Sequence, residues 1–181
     1  MSIFDQLRKH SVIQPDSAYL TAHRFTDGKG FPPSYIDFAT HLSWGRLCGL
    51  FLIYVPLGQH RDSWTVRSPW IKQAMDEFYA EMEYDELFLL EPDGYPGLEK
   101  SLLPFAMSEN GEYLAWDLAH RSSDDELPIY VLAARMGGIR YGAPNLYDFV
   151  ERCENDEAVK TMLGPGYTKL PLTFEPLPLD H

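Results

Sequence analysis

The sequence predicts an α+β domain with a mostly antiparallel central sheet flanked by helices. Three observations carry this. Apolar residues recur at helical spacing in well-separated segments. The strand-like segments cluster instead of alternating regularly with helices. The central pair of strands is joined by Asn110-Gly111, a hairpin signal because both residues tolerate positive φ.

Taken in order, residues 3–10 read as a short helix with Phe4 and Leu7 on one side. Residues 14–30 read as irregular, punctuated by Pro15, Gly28 and Gly30. A helix is expected over 31–42. Its prolines suit a start, where a missing N–H would be unpaired anyway, and Tyr35, Phe38, Ala39 and Leu42 fall at i, i+3, i+4 and i+7. Gly45 then ends it. The apolar run 47–55 has the β-branched and aromatic content of one central strand covered on both faces, stopped by Pro56. Ser68-Pro69-Trp70-Ile71 reads as a cap, a first-turn proline and the start of an amphipathic helix. Its inward stripe would be Trp70, Ala74, Phe78 and Met82 with Ile71 and Met75, leaving Asp76, Glu77, Glu81 and Glu83 outside.

Residues 92–97 form a turn region and 102–107 a strand. The strand 112–118 follows, with Leu114, Trp116 and Leu118 on one face and Tyr113, Ala115 and Asp117 on the other. An acidic loop, Ser122-Ser123-Asp124-Asp125-Glu126, leads to a strand over 129–133, and Gly137-Gly138 turns the chain. A last helix covers 145–153 with Leu146, Phe149, Val150 and Cys153 inward. Residues 169–181 carry three prolines and read as extended along the surface or partly mobile.

The length of 181 residues suits a single domain over 1–181, with its core at about 31–153 and an extended C-terminal tail at 165–181. A chain of this size buries roughly 70% of its unfolded surface and needs no covalent staple. The cysteines Cys48 and Cys153 read as buried or half-buried free thiols, not a disulfide framework. The first residues place an acid, Asp5, where a secretory leader would be apolar. The longest apolar run, 47–57, is broken by Gly49 and Pro56 and falls short of the roughly 20 residues a membrane helix needs. Cytoplasmic localisation is the expectation. The balance of 15 basic against 27 acidic residues, net −12, disfavours nucleic acid and anionic membranes as partners; it suits a basic protein partner and equally suits solubility alone.

Motifs for catalysis are missing. The histidines His10, His23, His41, His60, His120 and His181 show no i, i+4 pair and no HExxH, and there is no CxxC, so no metal site is predicted. There is no G-x-S-x-G elbow. A nucleophilic Cys48 lacks the electropositive, half-exposed setting that makes a thiolate. Gly137-Gly138-Ile139-Arg140-Tyr141-Gly142 lacks the G-K-[ST] ending of a phosphate loop and reads as a turn. Asp117 ends a strand beside Trp116, where an acid must find donors or face water, which favours a structural role.

The proline-aromatic start Pro33 to Tyr35, the strand Leu103-Pro104-Phe105-Ala106, the Asn110-Gly111 turn into a strand ending at Asp117, and the closing helix Leu146-Tyr147-Asp148-Phe149-Val150 occur in an order that resembles the SMI1/KNR4 family, also called the SUKH superfamily. The similarity covers about residues 31–153. It implies a non-enzymatic binding domain without cofactors or catalytic residues. Many bacterial members look like immunity proteins that neutralise a secreted toxin, often a nuclease, while fungal relatives act through protein contacts as regulators of cell-wall synthesis. The leading expectation is an immunity protein that occludes the basic cleft of a toxin domain with an acidic, aromatic-bearing face. Asp117, Asp124, Asp125 and Glu126 are the candidate partner-binding residues. The chain would be a monomer or weak dimer. The alternatives are a regulatory or scaffold module without a toxin partner, and an unrecognised small-ligand binder or hydrolase.

Overall fold

The Asn110-Gly111 signal works as the sequence implies. Gly111 takes φ 99, and the Ser108 amide donates to the Glu112 carbonyl across the turn. The hairpin joins β3 (Leu102–Ser108) to β4 (Tyr113–Asp117). The computed structural model describes residues 2–7, 10–82 and 87–179. Around this hairpin, β1 (Gly45–Leu47), β2 (Phe51–Ile53), β5 (Ile129–Leu132), β6 (Ile139–Ala143) and β7 (Phe174–Pro176) complete an antiparallel sheet of order β6-β5-β4-β3-β2-β1-β7. Helices flank it, so the architecture is the predicted α+β one.

Cross-strand register sorts the side chains. Leu114 faces Val131 and Trp116 faces Ile129, and all four are buried. This face lies under α2 (Pro33–His41) and α5 (Leu146–Cys153): Trp116 meets Tyr35 edge-on at 4.9 Å, and Phe51 meets Phe149 at 5.3 Å. On the opposite face Leu52, Met107, Tyr113, Tyr130 and Tyr141 stay half-buried. In α2, the residues Tyr35, Phe38, Ala39 and Leu42 are all buried, as their spacing dictates. In α5, Asn145 accepts from the Asp148 amide at the N-cap, and Leu146, Phe149, Val150 and Cys153 point inward.

Several local expectations are corrected. The run 47–55 is not one strand. Cys48 and Gly49 take φ 53 and 63, and the Leu50 amide donates to the Leu47 carbonyl, so the chain reverses into the β1–β2 hairpin. Because no polar residue occurs within the run 47–55 itself, its pattern carries no trace of the reversal. Gly45 opens β1 and is not the helix stop; Ser43, at φ 62, makes that break.

Helix α3 (Trp64–Met82) begins earlier than Ser68, with Pro69 inside it. Ser63 sets the start. Its carbonyl accepts from the Arg67 amide, and its hydroxyl accepts from the Leu57 amide at 2.8 Å. The buried stripe is therefore Trp64, Ser68, Ile71 and Met75, while Trp70 is 58% and Met82 37% exposed. Glu83 lies outside the described residues.

The N-terminal helix is a single 3₁₀ turn, Ile3–Gln6, with Ile3, Phe4 and Leu7 buried; residues 8 and 9 lie outside the described residues. The segment 14–30 is not wholly irregular: α1 (Ser17–Ala22) is capped by Asp16, which accepts from the Tyr19 amide. α4 (Leu98–Ser101) precedes β3, and α6 (Asp156–Leu163), capped by Asn155, follows α5. The tail does not simply trail along the surface. β7 pairs with β1 and buries Phe174 against Phe38 at 5.9 Å.

Phe174→Ala should therefore cost about 3–5 kcal/mol. Chemical denaturation should show a lower midpoint with an unchanged m-value. Gly45→Ala should also destabilise, because a Cβ there overlaps the Glu175 carbonyl and the Phe174 ring.

Candidate functional site

The segment after β4 carries the predicted acids, and it is built around Asp117. Asp117 is 1% exposed. Its Oδ1 accepts from Ser101 Oγ at 2.6 Å and from the Ala119 amide at 2.9 Å. Its Oδ2 accepts from Tyr95 Oη at 2.7 Å and lies 2.7 Å from His120 Nδ1. Burial works to raise this carboxyl, but the hydrogen bonds from Ser101, Tyr95, the Ala119 amide and His120 outweigh burial and hold it below the ordinary carboxylate range. Burial, reinforced by the bond to Asp117, pushes the Tyr95 hydroxyl up to about 12, so it stays a donor. The His120 side chain is 63% exposed and is oriented by Asp117 and by the Tyr95 ring, which meets it edge-on at 5.3 Å.

Tyr130 and Tyr141 stand beside this group. They face each other across β5 and β6 with rings edge-on at 5.5 Å. Burial first, then Asp117, Tyr141 and Asp93, raises the Tyr130 hydroxyl. Asp93 is fixed by the Tyr141 amide at 2.9 Å. Tyr95, His120, Tyr130 and Tyr141 thus form one half-exposed aromatic patch on the outer face of β4–β6, over a buried anion.

The acidic loop follows His120 in the chain and is tied to the segment that leads into α2. Arg121, its side chain 9% exposed, donates to Asp27 Oδ2 at 2.6 Å and to the carbonyls of Asp125 and Gly30. Asp125 takes φ 62, and its carboxylate pairs with Lys29 at 3.2 Å. Glu126 accepts from the Ser34 amide at 2.8 Å and hydroxyl at 2.7 Å. Ser34 Oγ in turn accepts from the Leu146 amide. Burial raises the Glu126 carboxyl even though Ser34 works against it.

The four predicted residues therefore divide. Asp117 is buried and Glu126 half-buried, and the carboxylates of both accept hydrogen bonds from within the chain. Asp124 is exposed and Asp125 half-exposed. His120, Tyr95, Tyr130 and Tyr141 are absent from the sequence-based set. Alternation along the 129–133 strand was signal enough to put Tyr130 on the outer face. Nothing in the sequence connected Tyr95 to Asp117. Among the described residues, no group of three or more His, Cys, Asp or Glu side chains is placed to hold a metal, and no helix is long and apolar enough to cross a membrane. A surface groove of about 380 Å³ lined by Leu20, Arg24, Lys29 and Ile36 lies beside the loop, and it is open to solvent.

A sequence model of the SMI1/KNR4 family (SUKH-1) matches residues 18–152, most of the chain. The chain belongs to the SMI1/KNR4 family. Searches of curated proteins and of solved structures return no match. SMI1/KNR4 membership supports an immunity-protein-like, protein-binding domain in general, and domains of this family are generally non-enzymatic. In this SMI1/KNR4 chain, Asp117 and the patch above it occupy the C-terminal end of β4 and its neighbours, within the matched span.

Asp117→Asn should lower stability at pH 7 by about 1–3 kcal/mol, because an amide cannot accept all four bonds. A depressed carboxyl stabilises the fold above its unfolded value and loses that contribution as pH falls through its folded value. Thermal melts should therefore show the wild-type advantage present at neutral pH and vanishing below about pH 4.

Proposed function

We propose that this chain is a non-enzymatic immunity protein that neutralises a cognate bacterial toxin by occlusion. Residues 1–181 act as one SMI1/KNR4-like domain, cytoplasmic, monomeric or weakly dimeric, without a cofactor. The partner is a basic toxin domain, with a nuclease as the favoured type; nucleic acid and membrane are not partners. The observation that carries this reading is the tyrosine patch Tyr95, Tyr130 and Tyr141 with His120, followed in the chain by a loop whose backbone is already fixed by Arg121 and Glu126. Tyrosines of this kind supply contact area at low entropic cost and dominate protein interfaces. Asp124 and Asp125 in that loop add negative charge, which steers a basic partner and sets the association rate. Pre-ordering of the loop lowers the cost of forming the complex.

The test is co-expression with the toxin domain encoded beside this gene. The two should co-purify at one-to-one stoichiometry, and toxin activity should fall to background. Tyr130→Ala combined with Tyr141→Ala should weaken binding by at least about 30-fold, or about 2 kcal/mol. Asp124→Lys with Asp125→Lys should mainly slow association and reduce its salt dependence. A housekeeping protein retrieved through the same patch, with no toxin encoded nearby, would establish the scaffold reading instead.

A further inference from the structure

Trp70 is an apolar residue that the helical pattern assigns to the core and that the fold turns out to solvent. Three of the tryptophans, Trp44, Trp64 and Trp116, are 4%, 5% and 1% exposed, whereas Trp70 is 58% exposed. The ring is nonetheless braced. The Arg67 guanidinium lies 6.0 Å from the Trp70 centroid and 5.8 Å from that of buried Tyr54. Arg67 is itself fixed by Asp62, at 2.8 Å from Nη2 to Oδ1. A cation held between two rings restricts the indole before any partner arrives.

The same helix face continues with Gln73, Glu77, Ala80 and Glu81, at the spacings that share one side of an α-helix, and all are exposed. Lys72 is neutralised by Asp76 one turn on. Glu77 accepts only from the amide of Gln73, and no cation pairs with Glu77 or Glu81 among the described residues. The face thus combines a fixed aromatic anchor with uncompensated negative charge on a rigid element. Rigid display of an aromatic is the property of an interface hot spot.

We propose that the outer face of α3 is a second docking surface, and that its occupant is a basic, amphipathic helical segment of a protein partner. Its apolar stripe covers Trp70, and its lysines or arginines meet Glu77 and Glu81. This surface shares with the tyrosine patch only the positive charge of the partner, and the two are separable by mutation.

The experiment uses the full chain and an amphipathic helical peptide of leucine and lysine, with a leucine–glutamate peptide of the same pattern as control. Tryptophan emission reports on α3, because the other three indoles are already buried. The lysine peptide should shift the emission to the blue and protect it from acrylamide, and the glutamate peptide should do neither. By calorimetry, Trp70→Ala should weaken lysine-peptide binding at least about 30-fold, and Glu77→Lys with Glu81→Lys at least about tenfold. Tyr130→Ala with Tyr141→Ala should leave it unchanged. Absence of binding, binding that survives Trp70→Ala or the charge reversal, or binding lost with the tyrosine pair would each overturn the assignment to α3. Toxin binding by the tyrosine patch is measured separately, so failure of one proposal does not carry the other.

Discussion

Tyr35 sits where the helical layer meets the sheet, and the rest of the fold is arranged around its contact with Trp116. Tyr35 is fully buried, and its hydroxyl donates to the Tyr54 carbonyl at 2.7 Å. Burial pushes that hydroxyl well above its ordinary range, so it remains protonated and the bond persists. Its ring meets Trp116 edge-on, and Trp116 stacks on Phe105 at 4.2 Å with planes 9° apart. Phe105 reaches this position because β3 shifts register between Pro104 and Ala106. Aromatic pairs of this kind contribute beyond their buried area and fix direction as well as distance. The next residue after Trp116 is Asp117, so the stack that secures α2 also places the anion under the tyrosine patch.

A second linkage makes the acidic loop part of the scaffold. Ser34 opens α2, its hydroxyl accepts from the first amide of α5, and it donates to Glu126. One side chain thereby ties the starts of two helices to the loop. Arg121 performs the same service on the other side by bridging Asp27, Gly30 and Asp125. The loop is consequently a shaped surface, with its conformational entropy already lost on folding.

The net charge of −12 acquires a more specific meaning in this light. Many acids are spent internally: Asp117 and Glu126 on positioning, Asp62 on Arg67, Asp27 on Arg121, Asp16 on a helix start. Among those left to solvent, Asp124 lies in the loop after β4, and Glu77 and Glu81 share a helix face with exposed Trp70.

The sequence by itself determined the class, the α2 and α5 faces, the β3–β4 hairpin and the family, because each rests on local periodicity, turn chemistry or a linear order of motifs. Tyr35, Phe38, Ala39 and Leu42 could satisfy only one side of a helix, and Asn110-Gly111 could make only a tight reversal. Tertiary structure decided the rest. It split the apolar run 47–55 into a hairpin, since the turn residues Cys48 and Gly49 lie inside that run and leave no polar mark. It kept Ile71 and Met75 inward but turned Trp70 out, since the helix packs through the line Trp64, Ser68, Ile71 and Met75. It added the tail as β7, because pairing with β1 satisfies backbone groups that no local pattern could announce. It also gathered Tyr95, Asp117, His120, Tyr130 and Tyr141 from separate segments, since contacts between distant residues are set by sheet register and leave no signature in a single chain.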